Sequence, residues 1–473
     1  MRRFLTWTCL AIALAPPTMA RGADLDFWVW HRTQPLKEEE RAPLKSLGVK
    51  TLFWHVGEME IRSGQWRWKA PPRPIQGLAE GFRLVPVVRL NCEERQPFPA
   101  ASLVHLREEL APVAGEGGTL QLDFDCPDRL LPDYTAALRE IRKAVPHLSV
   151  TALAGWPRTA GFPALTSAVE EIAPMFYDLQ ADPTGVTVEA PPPPLLDPAQ
   201  FEAVLQPWKA CPIPWRAGLP AFARLTVFDR TGHSRGQIPN WDWDDLCFHK
   251  SLHTLAPTRL GVTLLRPDTD VRVASTPVLK DEIVASRFID RSALAQAIAL
   301  SRAAGSAGVI LFRLPDGTAP AGRSLGDLAE LASATQPSLI VRRTAGGQFE
   351  LVNESAVDLP PRLSGQKSDR DRGYALEIDA PAPVFREALA GDFWRVTSHV
   401  QPDAKKPVPV VVPLATRLTY WFSQVRGHEV LQSGLLQLAP EVSLDALRYR
   451  VLDGEAAGEW KPLAPASPIP SAP

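Results

Sequence analysis

Short apolar segments alternate with amphipathic helical segments over the first two-thirds of the chain, and this alternation restricts the fold more than any other feature. Such alternation is typical of parallel β/α units. Residues 134–145 illustrate the helical part, because their apolar side chains recur at helical spacing. The eight segments with strand character are 27–31, 49–56, 83–90, 119–125, 148–153, 172–178, 215–222 and 308–314. We therefore predict an α/β protein with a (β/α)8, TIM-like barrel over residues 24–330.

The alternation breaks once, before the last helix and strand, which predicts an inserted segment over residues 224–288. Beyond the barrel the helical period disappears and strand-like runs follow one another between turn signals, which predicts a β-sandwich-like domain over residues 335–461. Residues 462–473 are rich in Pro, Ala and Ser, and we expect a disordered tail there.

The N-terminus resembles a signal peptide. Arg2 and Arg3 precede a short apolar run, which small residues follow. The run is too short to cross a bilayer core of ~30 Å, and no later stretch reaches the ~20 apolar residues that a membrane-spanning helix needs. We predict that residues 1–23 are removed and that the protein is exported, to the periplasm or the extracellular space, without a transmembrane segment.

Charge is balanced along the chain, with 51 Lys and Arg residues against 53 Asp and Glu residues. No run of five like charges occurs, so the sequence lacks the electrostatic pattern of a nucleic-acid-binding protein. It also lacks a Ser-His-Asp elbow, a phosphate-binding loop and a dinucleotide fingerprint. We expect no cofactor and no nucleic-acid partner.

Four cysteines follow the leader, an even number in a chain predicted to reach an oxidising compartment. Cys92 and Cys126 end neighbouring predicted strands, and we expect a disulfide between them. Cys211 and Cys247 form the remaining pair.

The fourth predicted strand carries acids where a barrel normally has branched apolar residues. Side chains alternate across a strand, so the leucines and phenylalanine of residues 119–125 face the helices, while Gln121, Asp123 and Asp125 face the interior. A desolvated carboxylate is costly, and acids at the carboxyl end of a barrel strand lie where this fold builds its sites. A structural network of ion pairs is the alternative explanation.

The sixth predicted strand adds Met175, Tyr177 and Asp178 at the same end of the barrel. A cluster of three acids holds a proton near neutral pH, as general acid catalysis requires, and it also accepts hydrogen bonds from sugar hydroxyls. We therefore predict Asp123, Asp125 and Asp178 as catalytic residues, with Gln121, Met175 and Tyr177 contacting the substrate.

Other residues at the predicted strand ends extend this site. Trp30 and Trp156 offer flat faces for a pyranose ring, although a Trp at a strand end also packs in the core. Glu58 ends the second strand. Arg89 either clamps a carboxylate-bearing sugar or neutralises Asp123, and we favour the ion pair.

Two histidines one helical turn apart, His249 and His253, have a spacing that would suit a metal, but the neighbouring acids equally suit an exposed lid. We predict no metal site.

Four short motifs, in the same order along the chain, resemble those of the chitinase-type glycoside hydrolases, a (β/α)8 family. The resemblance implies a carbohydrate-binding cleft and a poly- or oligosaccharide ligand. The matching residues are Asp123 and Asp125 on the fourth strand, Met175, Tyr177 and Asp178 on the sixth, Gly218, Pro220, Phe222 and Arg224 on the seventh, and 308–312 on the eighth.

Two positions depart from that family's pattern. Its proton-donating Glu falls on Pro127, and its first Asp falls on Leu120. Such a protein has either lost the mechanism, as the family's lectin-like members have, or uses another acid, for which Asp128, Glu58 and Asp178 are candidates. Residues 26–32 and 148–156 also resemble an uncharacterised bacterial family of exported barrel proteins, which implies no activity.

Three functions are therefore open. The first is a glycoside hydrolase-like protein that acts on a polysaccharide with its Asp carboxylates. The second is a glycan-binding pseudoenzyme in which the same acids accept sugar hydroxyls. The third is an envelope scaffold in which the inward acids pair with arginines, among them Arg89 and Arg313.

Overall fold

A computed structural model gives the structure of the protein. It describes residues 25–92, 98–256, 258–315, 322–331, 333–344, 346–363, 372–400, 408–409, 414–439, 446–453 and 456–463. The predicted signal peptide lies outside these residues and stays a prediction.

Eight parallel strands form a closed barrel, which confirms the predicted fold class. The barrel strands are β1 Leu25–Val29, β2 Thr51–Arg62, β3 Arg83–Asn91, β4 Thr119–Asp123, β5 His147–Leu153, β6 Glu171–Met175, β7 Arg216–Pro220 and β8 Gly308–Phe312. Their order around the barrel is β1-β8-β7-β6-β5-β4-β3-β2, and β1 also pairs with β2 to close the ring. Strands β6 and β7 share the fewest paired residues, since Met175 opposite Gly218 is the only ladder pair within these two strands.

Helices cover most of the outer wall of the barrel. Four of the described helices begin with a side-chain cap in which Asp197, Asp242, Asp290 or Ser324 accepts backbone N–H groups of the first turn. The helices are α1 Glu38–Ser46, α2 Ala100–Leu110, α3 Leu131–Arg142, α4 Phe162–Thr166, α5 Pro198–Leu205, α6 Trp243–Phe248, α7 Arg291–Ala303 and α8 Leu325–Ala329.

The connection from β2 to β3 differs from the others. After Arg62 the chain turns back as a short strand, Gln65–Trp68, which pairs antiparallel with the end of β2. The described residues 63–82 contain no helix. The long β2 therefore extends past its pairing with β1, and Glu58 lies on β2 opposite Arg89 of β3.

The core has two layers, which follow from the alternation of side chains along each strand. Leu120, Leu122 and Phe124 are buried in the layer between the sheet and the helices, as predicted. The interior layer contains Trp28, Phe53, Val85, Val87, Ala173 and Ile310. Because aromatic side chains occupy the interior of the barrel, it is a packed core and not a pore.

The inserted segment is a small antiparallel subdomain. Its strands Ala223–Phe228 and Ile283–Phe288 pair with each other, so the chain enters and leaves the insertion side by side. Helix α6 packs on this sheet through Trp243, Leu246 and Phe248. The sheet also contains Ser234–Gln237, Val262–Pro267 and Leu252–Thr254, and Val271–Val273 pairs with Thr276–Val278 as a separate hairpin.

Antiparallel sheets form the C-terminal region, as predicted. A three-stranded sheet and a larger sheet enclose an apolar core that includes Phe349, Leu376 and Tyr420. The three-stranded sheet contains Leu339–Arg343, Phe349–Asn353 and Val430–Gln432. The larger one contains Tyr374–Asp379, Arg395–Val400, Val408–Pro409, Arg417–Phe422, Arg448–Asp453, Ala456–Ala457 and Lys461–Pro462, and Phe385–Ala388 pairs with Leu436–Leu438.

The end of this region bears on the predicted disordered tail. That tail begins at Pro462, which the structure places opposite Arg448 in a short strand pair. Residues 464–473 of the tail lie outside the described ones.

The insertion and the C-terminal region pack on each other. Phe248 stacks on Trp394 with ring centroids 5.8 Å apart, and Leu363 and Trp421 join the apolar core of the insertion. The hydroxyl of Thr254 donates to the carbonyl of Leu363 at 2.7 Å. The insertion therefore contacts the C-terminal sheets, which the start of α8 also contacts where Ser324 donates to Asp358.

The predicted disulfide between Cys92 and Cys126 is wrong. Both residues carry thiols, and so do Cys211 and Cys247. The reason lies in the direction of the side chain of Cys126, which continues the helix-facing row of β4 and is fully buried in the outer core layer. Its thiol donates to the carbonyl of Pro127 at 3.5 Å.

Among the described helices, none has the length and the apolar character that a membrane crossing requires.

Candidate functional site in the mouth of the barrel

A cavity of about 570 Å³ opens at the carboxyl ends of the barrel strands. We call it the mouth cavity. Its volume lies within the range of small-molecule and sugar-sized sites, ~300–1,000 Å³. The residues that line it are Trp28, Trp30, Arg89, Asp123, Asp125, Thr151, Leu153, Ala154, Gly155, Met175, Tyr177, Asp178, Leu179 and Phe312. Seven of the ten residues predicted for the site are among them.

Asp123 is the buried carboxyl of this cavity, with 7% of its surface exposed. Its Oδ1 accepts a hydrogen bond of 2.9 Å from the hydroxyl of Thr151 on the neighbouring strand. Burial raises the pKa of Asp123 to about 6; Arg89 partly offsets this effect, and Asp125 adds to it. The carboxyl of Asp123 therefore keeps its proton up to about pH 6, well above the range in which an exposed aspartate is protonated.

Arg89 stands between two carboxylates. Its Nη1 lies 3.6 Å from Asp123 and its Nη2 lies 3.6 Å from Asp125, which is too long for hydrogen bonds. Its Nε donates to the side chain of Asn91 at 3.3 Å. The predicted ion pair between Arg89 and Asp123 is thus present as a loose electrostatic contact, which leaves both Nη groups available to a ligand.

Glu58 closes this network at the rim and does not line the cavity. It accepts hydrogen bonds of 2.8 Å from Lys69 and of 2.8 Å from Asn91. The hydrogen bond and charge of Lys69 lower the pKa of Glu58. A carboxylate held ionised in this way is a poor proton donor.

Asp178 is engaged by the insertion. Arg224 donates from both Nη groups to the two carboxylate oxygens of Asp178, and the Nη2 contact measures 2.6 Å. Asp178 also has a left-handed backbone, with φ of 53°. The insertion thereby fixes this acid at the edge of the cavity as an ion pair.

Aromatic side chains form one wall of the cavity. Tyr177 stacks on Phe312 with centroids 5.5 Å apart, and Trp28 meets Phe312 edge to face at 6.2 Å. Burial and the charges of Asp123, Asp125 and Asp178 raise the pKa of Tyr177, so its hydroxyl keeps its proton. Met175 contributes to the same apolar surface.

Trp30 covers His55. Their rings stack with centroids 4.2 Å apart, and His31 meets His55 edge to face at 5.9 Å. His55 is 6% exposed, and neither of its ring nitrogens has a hydrogen-bond partner among the described residues. Burial, with a smaller contribution from His31, lowers the pKa of His55 to about 4, so the ring is neutral near pH 7.

The structure places two predicted substrate-binding residues away from the cavity. Gln121 is fully buried inside the barrel, where its carbonyl accepts the indole N–H of Trp28 at 2.6 Å. Trp156 is also fully buried, and its indole donates to the carbonyl of Cys126 at 3.2 Å. Gln121 positions a cavity residue, whereas Trp156 packs in the outer core layer.

The position of the resembled family's proton donor offers no acid. Pro127 and the neighbouring Asp128 begin a turn of 3-10 helix outside the mouth cavity, and both are exposed. Of the three candidates for a replacement acid, Asp128 is outside the cavity, Glu58 is held by Lys69, and Asp178 is held by Arg224. Asp123 remains.

Thr151 is a site residue that the sequence analysis missed. It lies on β5 and shares the inward face with Ser149 and Leu153, and the register of β4 and β5 brings it beside Asp123. The alternation of side chains along β5, together with the acids of β4, could have identified Thr151 from the sequence. No sequence feature indicated that Arg224 pairs with Asp178, because that contact depends on the path of the insertion.

The two histidines weighed as metal ligands contact other groups. His249 lies 3.2 Å from the carbonyl of Arg272, and His253 lies 3.1 Å from Asp268. In the part of the chain that the structure describes, no group of three or more His, Cys, Asp or Glu residues is arranged to hold a metal ion.

Residues 80–238 match a family model described as a domain of unknown function, DUF3142. The matched segment runs from β3 into the insertion and contains Asp123, Asp125 and Asp178. A comparison with curated proteins gives no match.

Several solved structures are similar to the chain at low identity. A glycoside hydrolase family 18 N-acetylglucosaminidase from Paenibacillus barengoltzii is 13% identical, with 62% of this chain and 95% of that one covered and a TM-score of 0.41. A chitinase from Chromobacterium violaceum is 14% identical, with 67% and 100% covered and a TM-score of 0.44. The spore cortex-lytic enzyme of Bacillus megaterium is 15% identical, with 62% and 71% covered and a TM-score of 0.43. The geometry of the mouth cavity, rather than these likenesses, indicates what the site can do.

Proposed function

We propose that the protein is a glycan-active barrel that binds an oligosaccharide in the mouth cavity and hydrolyses a glycosidic bond, with Asp123 as the proton donor. One observation supports this proposal above all others: Asp123 is a buried carboxyl on the cavity wall whose pKa is raised to about 6. A glycosidase needs an acid that is still protonated near its working pH, and burial supplies one here.

Asp125 provides the second carboxylate that such a reaction requires. It follows Asp123 on the same face of the chain, lines the cavity and is more than half exposed. Glycosidases use two carboxyl groups that flank the scissile bond, and here the carboxylates of Asp123 and Asp125 each lie 3.6 Å from the guanidinium of Arg89. Asp125 is accordingly placed to activate water or to stabilise the positive charge that develops on the sugar ring.

The aromatic wall supports a sugar ligand. Pyranose rings present apolar C–H faces that pack on flat aromatic surfaces, while their hydroxyls need hydrogen-bonding partners. The cavity combines Trp30, Tyr177 and Phe312 with the carboxylates of Asp123 and Asp125. This combination of flat apolar and acceptor groups suits an oligosaccharide.

The experiment is a turnover assay of the chain from Asp24 onwards on chitin, peptidoglycan, cellulose and exopolysaccharide oligomers, with new reducing ends as the readout. Asp123→Asn should abolish product release while sparing binding. Asp128→Asn is the matched control, because Asp128 is an exposed carboxylate outside the cavity. Wild-type turnover in Asp123→Asn would contradict the proposed role of Asp123.

A second candidate is glycan binding without turnover. The observation in its favour is that Asp178 is held by Arg224 and that Pro127 occupies the position of the resembled family's acid. In that case the oligomers raise the melting temperature of the wild type without forming products, and Asp125→Asn weakens their binding. If no oligomer is bound or cleaved, both candidates fail and the scaffold alternative is favoured.

We also propose that the protein acts outside the cytoplasm, on the strength of residues 1–23 alone. Expression of the full chain in a bacterial host, followed by N-terminal sequencing of the protein in the periplasm and medium, tests this. A mature N-terminus near Asp24 is expected, and an intact Met1 on cytoplasmic protein would contradict export.

A further inference from the structure

Acids outnumber cations on the wall of the mouth cavity. Among the described residues that line it, three carry a carboxyl group and one, Arg89, carries a cationic group. The three acids are Asp123, Asp125 and Asp178. Arg224 of the insertion neutralises Asp178 through both of its Nη groups. Asp123 and Asp125 are therefore left to share the single guanidinium of Arg89.

That guanidinium holds neither carboxylate firmly. Its Nη atoms lie 3.6 Å from Asp123 and 3.6 Å from Asp125, which is too long for hydrogen bonds. Asp123 accepts a hydrogen bond from Thr151, whereas Asp125 accepts none within the described part of the chain, and 58% of its side chain is exposed. Asp125 therefore presents a carboxylate with unused hydrogen-bond acceptors to the cavity.

The aromatic wall of the cavity is exposed to the same charges. Burial, and then the charges of the three acids, raise the pKa of Tyr177, and Arg89 opposes them with a smaller effect. At this hydroxyl the acids thus outweigh the one cation of the lining. A cavity with this balance of charge repels anions and attracts cations.

Aromatic rings give a second, independent reason to expect a cation. Phe312 stacks on Tyr177 at 5.5 Å and meets Trp30 edge to face at 5.7 Å, and all three residues line the cavity. The face of an aromatic ring carries partial negative charge, and aromatic residues around a cavity often recognise ammonium groups. A ligand with hydroxyls alone would offer Asp125 hydrogen bonds but no opposite charge.

We propose that the glycan bound in the mouth cavity carries a free amino group, as a hexosamine without its N-acetyl group does, and that the ammonium pairs with Asp125. This inference rests on the proposed function and names its substrate class. An ammonium donates up to three hydrogen bonds, and it adds the positive charge that Arg89, shared between two carboxylates, does not fully supply. N-acetylation removes this charge, so the acetylated form of the same sugar loses the ion pair.

The test compares glycans that differ only in N-acetylation. Oligomers of chitin and of peptidoglycan glycan strands are each prepared in N-acetylated and de-N-acetylated form, and cellulose oligomers supply a neutral ring without nitrogen. Binding to the chain from Asp24 onwards is measured by titration calorimetry at low salt and at about pH 6, where an amine carries its proton. We expect the free-amine form of at least one pair to bind about tenfold more tightly than its N-acetylated form, as the gain of a charged hydrogen bond implies.

Two substitutions in the cavity should change the preference for the free amine in opposite directions. Asp125→Asn keeps the shape of the side chain and removes its charge, so the preference should fall about fivefold. Arg89→Gln removes the cation that competes with the ammonium, so the preference should rise about twofold or more. Asp128→Asn is the matched control and should leave it unchanged, because Asp128 is an exposed carboxylate outside the cavity. Circular dichroism checks that each variant folds.

Three results would overturn the inference. N-acetylated or cellulose oligomers that bind as tightly as the free-amine forms show that the mouth does not recognise an ammonium, and the proposed function then stands on neutral glycans. A preference that is the same in Asp125→Asn and Arg89→Gln as in the wild type places the ammonium elsewhere. A trilysine peptide that binds as tightly as the free-amine glycans shows that the ammonium need not come from a sugar. If none of the glycans binds, the proposed function falls together with the inference.

Discussion

Arg89 approaches Asp123 to 3.6 Å without a hydrogen bond, so this carboxyl is buried beside a cation that only partly stabilises its charge. Burial outweighs the attraction, and the pKa of Asp123 is raised to about 6 from an ordinary value of 3.8. Between these two pH values the folded protein binds more protons than the unfolded chain. The free energy of unfolding therefore falls as pH rises from about 4 to about 6, and the penalty remains at higher pH.

Asp123→Asn should remove this penalty. The variant should be more stable than the wild type at pH 8, by at most about 3 kcal/mol, and close to the wild type at pH 4. Urea denaturation at the two pH values measures the difference, with Asp128→Asn as the exposed control. A gain of equal size at both pH values would show that packing, not charge, is responsible.

Hydrolysis should depend on the protonated form of Asp123. We expect kcat/KM on a cleaved glycan to fall above about pH 6, since the acid loses its proton there. Thr151→Val removes a hydrogen bond that lowers the pKa of Asp123, so the falling limb should move to higher pH. If kcat/KM falls at the same pH in Thr151→Val as in the wild type, a group other than Asp123 determines the pH dependence.

The two tryptophans at strand ends should behave in opposite ways. Trp156→Phe loses the hydrogen bond to Cys126 and leaves a void, so it should lower the free energy of unfolding by about 2 kcal/mol with glycan affinity unchanged. Trp30→Phe should weaken glycan binding severalfold at a smaller cost in stability. Urea denaturation measures the stability of both variants, and titration calorimetry measures their glycan affinity. A loss of affinity in Trp156→Phe would contradict the assignment of Trp156 to the core.

The thiols should separate into two classes. Burial raises the pKa of Cys126 to about 12 and raises that of Cys247 further, whereas Cys92 and Cys211 are only half-buried. In the native protein a thiol reagent should label Cys92 and Cys211 well before the other two. After unfolding, all four should react whether or not a reductant was added. If the number of labelled cysteines in the unfolded protein rises when a reductant is added, a disulfide is present.

The barrel was predictable because its signal is local and repeated. Alternating side chains placed Leu122 in the outer layer and Asp123 in the cavity, and neither assignment needs tertiary information. The acids at the strand ends were predictable for the same reason.

Contacts between distant segments were not predictable. The burial of Trp156 depends on how the loop after β5 folds back on Cys126, and the pairing of Asp178 depends on Arg224 from another loop. Spacing along the sequence suggested a disulfide at Cys126, but the direction of its side chain excludes the bond.

The insertion enters and leaves the barrel through paired strands, with Ala223 opposite Phe288. Its two attachment points are therefore neighbours, and a short linker between Phe222 and Ile289 would restore an uninterrupted β7-α7-β8 unit. The segment is a module in the genetic sense: it can be gained, lost or exchanged while the barrel keeps its topology. Because this module supplies Arg224, each such event would also switch the charge state of the mouth by releasing or capturing Asp178.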